Sequence, residues 1–422
     1  MTTRVTPTAD APDLVVANLP ASKSHAQRAL LLAGLLPGER CLFDLGSNDD
    51  TDVCRASVQA LGARISTDAE DCVVIGVDHD RADAAPVEVW SGESGTTARM
   101  VAAATAVLGR WIRIDGAPGL RRRPMHALTD VLRRAGVRVE GDALPLVIDA
   151  RDARWPDVVT VDGRTTTQVA SGLMLGIGVR HARGLLPSPR ALRVEHPNAV
   201  NYLRLTAHVA GQFGIPIVCE SDGDSIVFRF ESIDNRLVNW TAARDASAAA
   251  FPIALAAMLG CGCELPDAGD DPHPDWRIGF DVKRIVERPT AEVVCDQIRR
   301  RPDTFPALVA LAATQPGTTR FVGAPALRTK ESDRITAMRE GLDALGVACE
   351  ELDDGLVVHG PLPAGDTPIR VPTPADHRIV MAFALLGAVR PGGVELDESR
   401  AVAKSWPGFW NWFARYANVR AV

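Results

Sequence analysis

Several things are missing from this chain of 422 residues, and each absence closes off a class of function. Its cysteines, Cys41, Cys54, Cys72, Cys219, Cys261, Cys263, Cys295 and Cys349, include no C-x-x-C pair. Only Cys261 and Cys263 are close, and a lone C-x-C lacks the spacing of a zinc site, so reduced thiols are expected. There is no excess of basic residues: 46 Lys and Arg stand against 53 Asp and Glu, a formal charge of -7. That balance argues against a nucleic-acid coat or a basic membrane-surface protein. The opening MTTRVTPTADAPD has no apolar stretch, so no signal peptide is expected and the chain reads as soluble and cytoplasmic. One uncharged run, Ala246 to Cys263, approaches membrane-span length. It is rich in Ala and Gly and carries Pro252, which predicts a buried helix with a tight turn. No G-x-x-x-x-G-K-[ST] occurs and Gly176-Ile177-Gly178 is no dinucleotide fingerprint, which disfavours a nucleotide-using kinase.

What is present is a recurring arrangement. Short polar clusters sit directly before apolar runs of helix length: Ser22-Lys23-Ser24, Ser94-Gly95-Thr96-Thr97-Ala98-Arg99, Thr165-Thr166-Thr167-Gln168, Pro302-Asp303-Thr304 and Asp376-His377-Arg378. A helix N-terminus exposes unpaired N–H groups at the positive end of its dipole, so it attracts anions. Repeating such starts, several with Lys or Arg added, suits a protein that holds polyanionic small molecules.

With 46% hydrophobic residues the chain is ample for two or three domains. Internal repetition is visible. After each apolar run comes a turn, a second helix, a Gly-containing break and two β-prone pieces around an acidic turn, as in Leu345-Gly346-Val347 with Asp353-Asp354-Gly355 and Leu356-Val357-Val358. Units begin near Lys23, Glu93, Thr166, Asp245, Asp303 and Asp376. The fourth and sixth are abbreviated; after Val286 only Ala291–Cys295 resembles a strand. Six βαβαββ-type units divide into two lobes of three, with the division near Leu237–Arg244. Residues 16–238 form the first lobe and residues 1–15 with 239–422 the second, which Asp13–Leu19 joins as a strand. A ligand cleft between the lobes is expected.

Taken singly, each cluster also has an ordinary reading. Ser22 caps a helix whose Lys23 and Arg28 are solvated, or else both face one anionic ligand. Arg121-Arg122-Arg123 is a solvated basic run, or Arg123 is held in place by Pro124 at the first position of a helix. Lys330 and Arg334, spaced i, i+4, share a helix face with Glu331 beside them, exposed or functional. Asp303 and Asp376 are helix caps or site carboxylates. The stretch Trp406–Phe413 reads as a core-packed terminal helix.

Together, SKSHAQRALLLAGL at 22–35, SGTTAR at 94–99, RRRP at 121–124, VDGRTTTQ at 161–168, LRTKESDR at 327–334, DHR at 376–378 and AKSWP at 403–407 resemble the enolpyruvyl transferases, in the branch that acts on shikimate 3-phosphate. The resemblance covers nearly the whole chain. It implies an α/β, two-lobed fold of six repeated units and a carboxyvinyltransferase of the shikimate pathway. Such an enzyme moves the enolpyruvyl group of phosphoenolpyruvate to the 5-hydroxyl of shikimate 3-phosphate and releases phosphate. No metal or organic cofactor is implied, and a cytoplasmic monomer without nucleic-acid or membrane partners is expected. By position, Lys23, Gly95, Arg123, Gln168 and Lys404 would hold the donor phosphate, and Arg334 and Arg378 its carboxylate. Ser24, Arg28 and Lys330 would contact the acceptor, and Thr166 and Thr167 its phosphate. Asp303 would face the attacking hydroxyl and Glu331 would serve protonation of the methylene, with His377 nearby.

Several positions depart from the family. Glu93 stands where Asn is usual, Glu195-His196 where a Ser-Lys or Ser-Arg pair is usual, and Ala326 where Asn is common. A carboxylate ~4 Å from a phosphate charge costs roughly 4 kcal/mol at an effective dielectric of ~20. Either these glutamates turn away and pair, with Arg193 and His196 the candidate partners of Glu195, or the acceptor carries no phosphate there. Three readings therefore stand: the shikimate 3-phosphate enzyme, a paralogue using another hydroxyl acceptor, and an anion-binding protein without catalysis.

Overall fold

The computed structural model describes the chain except residues 1, 10–11, 70, 78–82, 186–188, 232–238, 267, 269–270 and 288–292. The apolar runs are helices: Lys23–Leu35, Gly95–Val107, Gln168–Ala182, Ala246–Leu259, Phe305–Thr314 and His377–Val389. Each is apolar on nearly every face, so only burial on all sides suits it, and most of each helix is buried. Pro252 lies inside the fourth, which ends at Gly260 in the left-handed conformation (φ 69°) before the strand Gly262–Glu264.

The chain divides into two compact units, 21–243 and 1–20 with 244–422. In the first, three four-stranded sheets repeat one pattern, a parallel pair extended by an antiparallel hairpin. In one of them Val158–Asp162 runs parallel to Ala191–Glu195, which pairs antiparallel with Ser225–Phe230, itself paired with Ile217–Asp222. Gly223 (φ 57°) makes the tight turn of that hairpin. The second unit repeats the pattern in Val293–Cys295, Gly317–Phe321, Gly355–Gly360 and Ala348–Leu352. Of the strand expected at 291–295, residues 291 and 292 lie outside the described residues.

Both abbreviated repeats borrow strands from the chain's first residues. Leu14–Val16 pairs with Gly262–Glu264, and Thr3–Pro7 lies between Val394–Leu396 and Ala417–Ala421. The sixth sheet is thus complete, although its own stretch of sequence is not. These pairings also place the unit boundaries five residues beyond the expected ones. Ala17 still hydrogen-bonds Glu264 O and Leu19 packs in the second core, so 16–20 stay with that unit. Trp240–Thr241 runs parallel to Gly38–Phe43, so 239–243 stay with the first. Residues 237 and 238 of the expected division lie outside the described residues.

One packing detail sets up the functional region of the first unit. Gly172 and Gly176, four apart on the helix Gln168–Ala182, face Gly95–Val107: a Cβ on Gly172 would lie 2.7 Å from Met100 Cα, and one on Gly176 2.8 Å from Ala104 Cα. The two helices cross at backbone contact, which only glycine permits. Gly172 and Gly176 thus serve helix packing, and the starts of both helices come side by side. In the second unit Trp406, Phe409, Trp412 and Phe413 are buried around the short helix Phe409–Phe413.

Candidate functional site

The first unit gathers its polar groups at three helix starts. Ser22 occupies the cap position of Lys23–Leu35, but its hydroxyl bonds His25 Nδ1 at 2.9 Å instead of capping. Lys23 Nζ lies 2.9 Å from Asp50 Oδ2, with both side chains largely buried. Gln27 then ties this helix to the next: its amide nitrogen reaches Ser94 Oγ at 3.0 Å, Thr97 Oγ1 at 3.2 Å and Asp50 O at 3.3 Å. Ser94 caps the helix starting at Gly95 by accepting from Thr97 N.

Around Gly95 two guanidinium groups converge. A Cβ there would meet Arg99 Nη1 at 2.7 Å and Arg123 Nη1 at 3.1 Å. Arg99 also donates to Gln168 Oε1 (2.8 Å) and Pro124 O (2.8 Å), and Gln168 Nε2 donates to Thr96 Oγ1 (2.8 Å). Thr166 Oγ1 accepts from Gln168 N at 3.1 Å, and Thr167 is buried at the helix start. Burial, reinforced by the charge of Arg123, pulls the Arg99 guanidinium down to about 10. Two cations and a helix N-terminus in one spot are suited to hold an anion. Glu93 stands at its edge. One oxygen accepts from Gly119 N at 3.1 Å and the other lies 3.9 Å from Arg123 Nη2.

The second unit builds a denser network around Arg334. Its Nη1 donates to Asp303 Oδ1 (2.7 Å), Nη2 to Glu331 Oε2 (2.9 Å) and Nε to Asp376 Oδ2 (2.9 Å). Lys330 Nζ approaches Asp303 Oδ1 at 3.7 Å, Arg378 Nη2 reaches Asp303 Oδ2 at 3.6 Å, and Lys404 Nζ lies 3.4 Å from Glu331 Oε1. Asp376 caps the helix His377–Val389 by accepting from Arg378 N. Burial alone would raise the Asp303 carboxyl, but Lys330, Arg378 and Arg334 hold it well below the usual carboxylate range. Burial would lower both guanidiniums, but Asp376, Glu331 and Asp303 raise Arg334, and Asp303 with Asp245 and Asp275 raises Arg378. Three carboxylates against four cations leave a net positive charge, with Asp303 and Glu331 still partly open to solvent.

The structure therefore joins Gly95, Arg123, Thr166 and Gln168 in one cluster, reached from Lys23 through Asp50 and Gln27. It joins Asp303, Lys330, Glu331, Arg334, Arg378 and Lys404 in another. Five expectations change. Arg28 does not face outward beside Lys23. It is buried, donates to Thr206 Oγ1, Ser24 O, Ser171 Oγ and Tyr202 O, and is pulled down to about 10 by burial. Ser24 is half-buried beside it. Lys330 and Arg334 share no helix face, because the helix begins at Arg334; they meet at Asp303 instead. Pro124 is not the first residue of a helix, which starts at His126, and its carbonyl holds Arg99. Arg193 is taken by Asp222, not Glu195. His377 is fully buried, its Nδ1 3.8 Å from Asp376 Oδ1, so its ring is not open to a substrate.

Asp50, Gln27, Arg99 and the bridging role of Asp376 were not singled out. Asp50 lies in Asn48-Asp49-Asp50-Thr51-Asp52, where acidic residues are ordinary for a helix start. Arg99 ends the SGTTAR cluster, and its charge was the available signal.

Comparison with known proteins identifies the family. The family described as EPSP synthase (3-phosphoshikimate 1-carboxyvinyltransferase) matches residues 14–413. The 3-phosphoshikimate 1-carboxyvinyltransferase of Rhizobium etli is 31% identical over 401 residues, 94% of this chain and 92% of that protein. The protein of the same name from Pseudomonas syringae pv. syringae is 32% identical over 398 residues, 93% of this chain and 92% of its own. The solved EPSP synthase of Acinetobacter baumannii matches over 100% of both chains with a TM-score of 0.74; at 23% identity this likeness concerns the fold. With its fold, its repeats and nearly its whole length in agreement, this chain belongs to the EPSP synthase family.

Proposed function

We propose that the two clusters serve one reaction: transfer of the enolpyruvyl group of phosphoenolpyruvate to the 5-hydroxyl of shikimate 3-phosphate, with release of inorganic phosphate. In the addition step the acceptor oxygen bonds to C2 of phosphoenolpyruvate, C3 gains a proton and the hydroxyl proton goes to a base. In the elimination step the C2–O bond to phosphate breaks and C3 returns its proton, restoring the double bond. The observation that carries the reading is the Asp303–Arg334–Glu331 constellation. One guanidinium holds two carboxylates, a base and an acid candidate flanked by Lys330 and Lys404. Binding alone needs no such pair.

In this reading Asp303 takes the hydroxyl proton and Glu331 gives the proton to C3. Arg334 and Arg378 bind the planar donor carboxylate, for which their forks are suited. Lys23, Arg123, Gln168, Lys404 and the backbone at Gly95 hold the donor phosphate, and Arg99 orients Gln168. Ser24, Thr166, Thr167 and Lys330 meet the acceptor. Arg28 supports Ser24 from behind, and His377 supports Asp376. A monomer working in the cytoplasm belongs to the same proposal.

The test is phosphate release by the purified protein from phosphoenolpyruvate with a panel of hydroxyl acceptors. Release with shikimate 3-phosphate is expected. Release only with a different acceptor would overturn the acceptor assignment, and none with any acceptor would overturn catalysis.

A further inference from the structure

The second unit contains a buried acid that this mechanism does not use. Asp275 lies in the 3-10 turn Pro274–Arg277, which runs into the helix Ile278–Glu287. The turn is fixed at both ends: Asp275 N donates to His273 Nδ1 at 3.3 Å, and Trp276 Nε1 donates to Asp271 Oδ2 at 2.7 Å. The Asp275 carboxyl is fully buried, and its Oδ1 has no hydrogen-bond partner among the described residues. Its Oδ2 accepts from Ser247 Oγ at 2.5 Å.

Ser247 connects this acid to the site. It sits in the first turn of Ala246–Leu259, where Asp245 Oδ1 accepts from its N–H at 2.8 Å. Its carbonyl oxygen accepts from Arg378 Nη1 at 3.3 Å. Arg378 is thus held on one side by Asp303 and on the other by the backbone of a residue whose side chain Asp275 grips. The guanidinium is almost fully buried and its Nε has no hydrogen-bond partner among the described residues, so these two contacts set where its fork points.

We propose that Asp275 is a positioning residue for Arg378, acting through Ser247. It fixes the first turn of Ala246–Leu259 so that the Ser247 carbonyl anchors one arm of the guanidinium and leaves the other toward Asp303. A carboxyl suits this place because one of its oxygens accepts from the Ser247 hydroxyl at the start of the helix. Burial, aided by the charge of Asp303 and opposed by His273 and Arg378, holds it above its usual range.

The inference rests on the proposed role of Arg378 at the donor carboxylate, and the experiment separates the two. KM for phosphoenolpyruvate and for the acceptor, kcat and the thermal midpoint are measured for Asp275→Ala, Asp275→Asn, Ser247→Ala, Arg378→Lys and the Asp275→Ala/Arg378→Lys double variant. Asp275→Ala and Ser247→Ala should each raise KM for phosphoenolpyruvate about tenfold, the worth of one buried hydrogen bond, and leave the acceptor KM within about twofold. Asp275→Asn is neutral, keeps the shape and should recover most of the loss. The double variant should be no worse than Arg378→Lys alone, because both changes act on one arm. If Arg378→Lys leaves KM for phosphoenolpyruvate unchanged, the reading of Arg378 is wrong. If Arg378→Lys raises it but Ser247→Ala and both Asp275 variants only lower the thermal midpoint, or their effects add to that of Arg378→Lys, Asp275 is a packing residue and the inference is overturned.

Discussion

Replacing Glu93 by Gln should tighten donor binding. Glu93 Oε2 lies 3.9 Å from Arg123 Nη2, while its other oxygen accepts from Gly119 N–H. At that separation the attraction is about 4 kcal/mol at an effective dielectric of ~20 and about 1 kcal/mol in bulk water. The glutamate side chain is 43% exposed and the arginine 11%, so solvent screening pulls the value toward the lower figure. About 1.4 kcal/mol is a reasonable working value, a factor of about ten in a binding constant. A donor phosphate approaching Arg123 must compete with Glu93 for that charge. Gln keeps a carbonyl oxygen for the Gly119 N–H and removes the competing charge.

KM for phosphoenolpyruvate, and inhibition by inorganic phosphate, are read at low and high salt. Glu93→Gln should lower both constants about tenfold at low ionic strength, and less as the Debye length shortens. In an Arg123→Ala background the gain should vanish. Equal or weaker phosphate binding by Glu93→Gln would refute the reasoning, because it would mean that Arg123 does not meet the phosphate. A gain that persists without Arg123 would place the relief elsewhere.

Lys23→Ala should abolish turnover, and Asp50→Asn should lower it by releasing the ammonium from its 2.9 Å partner; near-normal rates for Lys23→Ala would show the donor site misassigned. Gly341→Ala should lower the unfolding midpoint, because a Cβ there would lie 2.0 Å from Phe383 Cζ in a packed core. Overpacking of that kind costs about 1–3 kcal/mol in denaturant titration, and an unchanged midpoint would show that Phe383 moves aside freely.

Five of the six helix starts were legible because two signals coincide at each, an apolar run long enough for a helix and a polar cluster ahead of it. What escaped depended on distance or on phase. Thr3–Pro7 alternates buried and partly exposed residues, but its neighbours Val394–Leu396 and Ala417–Ala421 lie at the other end of the chain, and no local pattern announces such pairing. Arg28 sits on a helix whose residues from His25 onward are all buried, so there was no solvent face for its charge. It turned inward to hydroxyl and carbonyl oxygens. The Lys330 and Arg334 spacing misled because i, i+4 means a shared face only inside a helix, and Lys330 precedes this one. Asp376 looked like a cap and is one, but its second oxygen holds Arg334.

The network around Arg334 makes a prediction about pH. Asp303 is held well below the usual carboxylate range by Lys330, Arg378 and Arg334. A carboxylate so stabilised is ionised but a weak base, and general base catalysis favours a pKa nearer the working pH. Arg334 and Arg378 are also the proposed ligands of the donor carboxylate. When that carboxylate binds them it takes up positive charge that now stabilises the Asp303 anion. With those cations shared, and with water excluded, the Asp303 pKa must rise. The direction follows: the group is depressed in the free enzyme and less depressed in the complex, so its deprotonation moves to higher pH on binding. The acid limb of kcat/KM reports the free enzyme and that of kcat the complex. The acid limb of kcat should therefore lie at higher pH than that of kcat/KM for phosphoenolpyruvate, and the gap should narrow in Arg378→Lys. Coincident limbs, or a kcat limb at lower pH, would mean that the donor does not draw on the cations that hold Asp303, and the assignment of Asp303 as the base would fail with it.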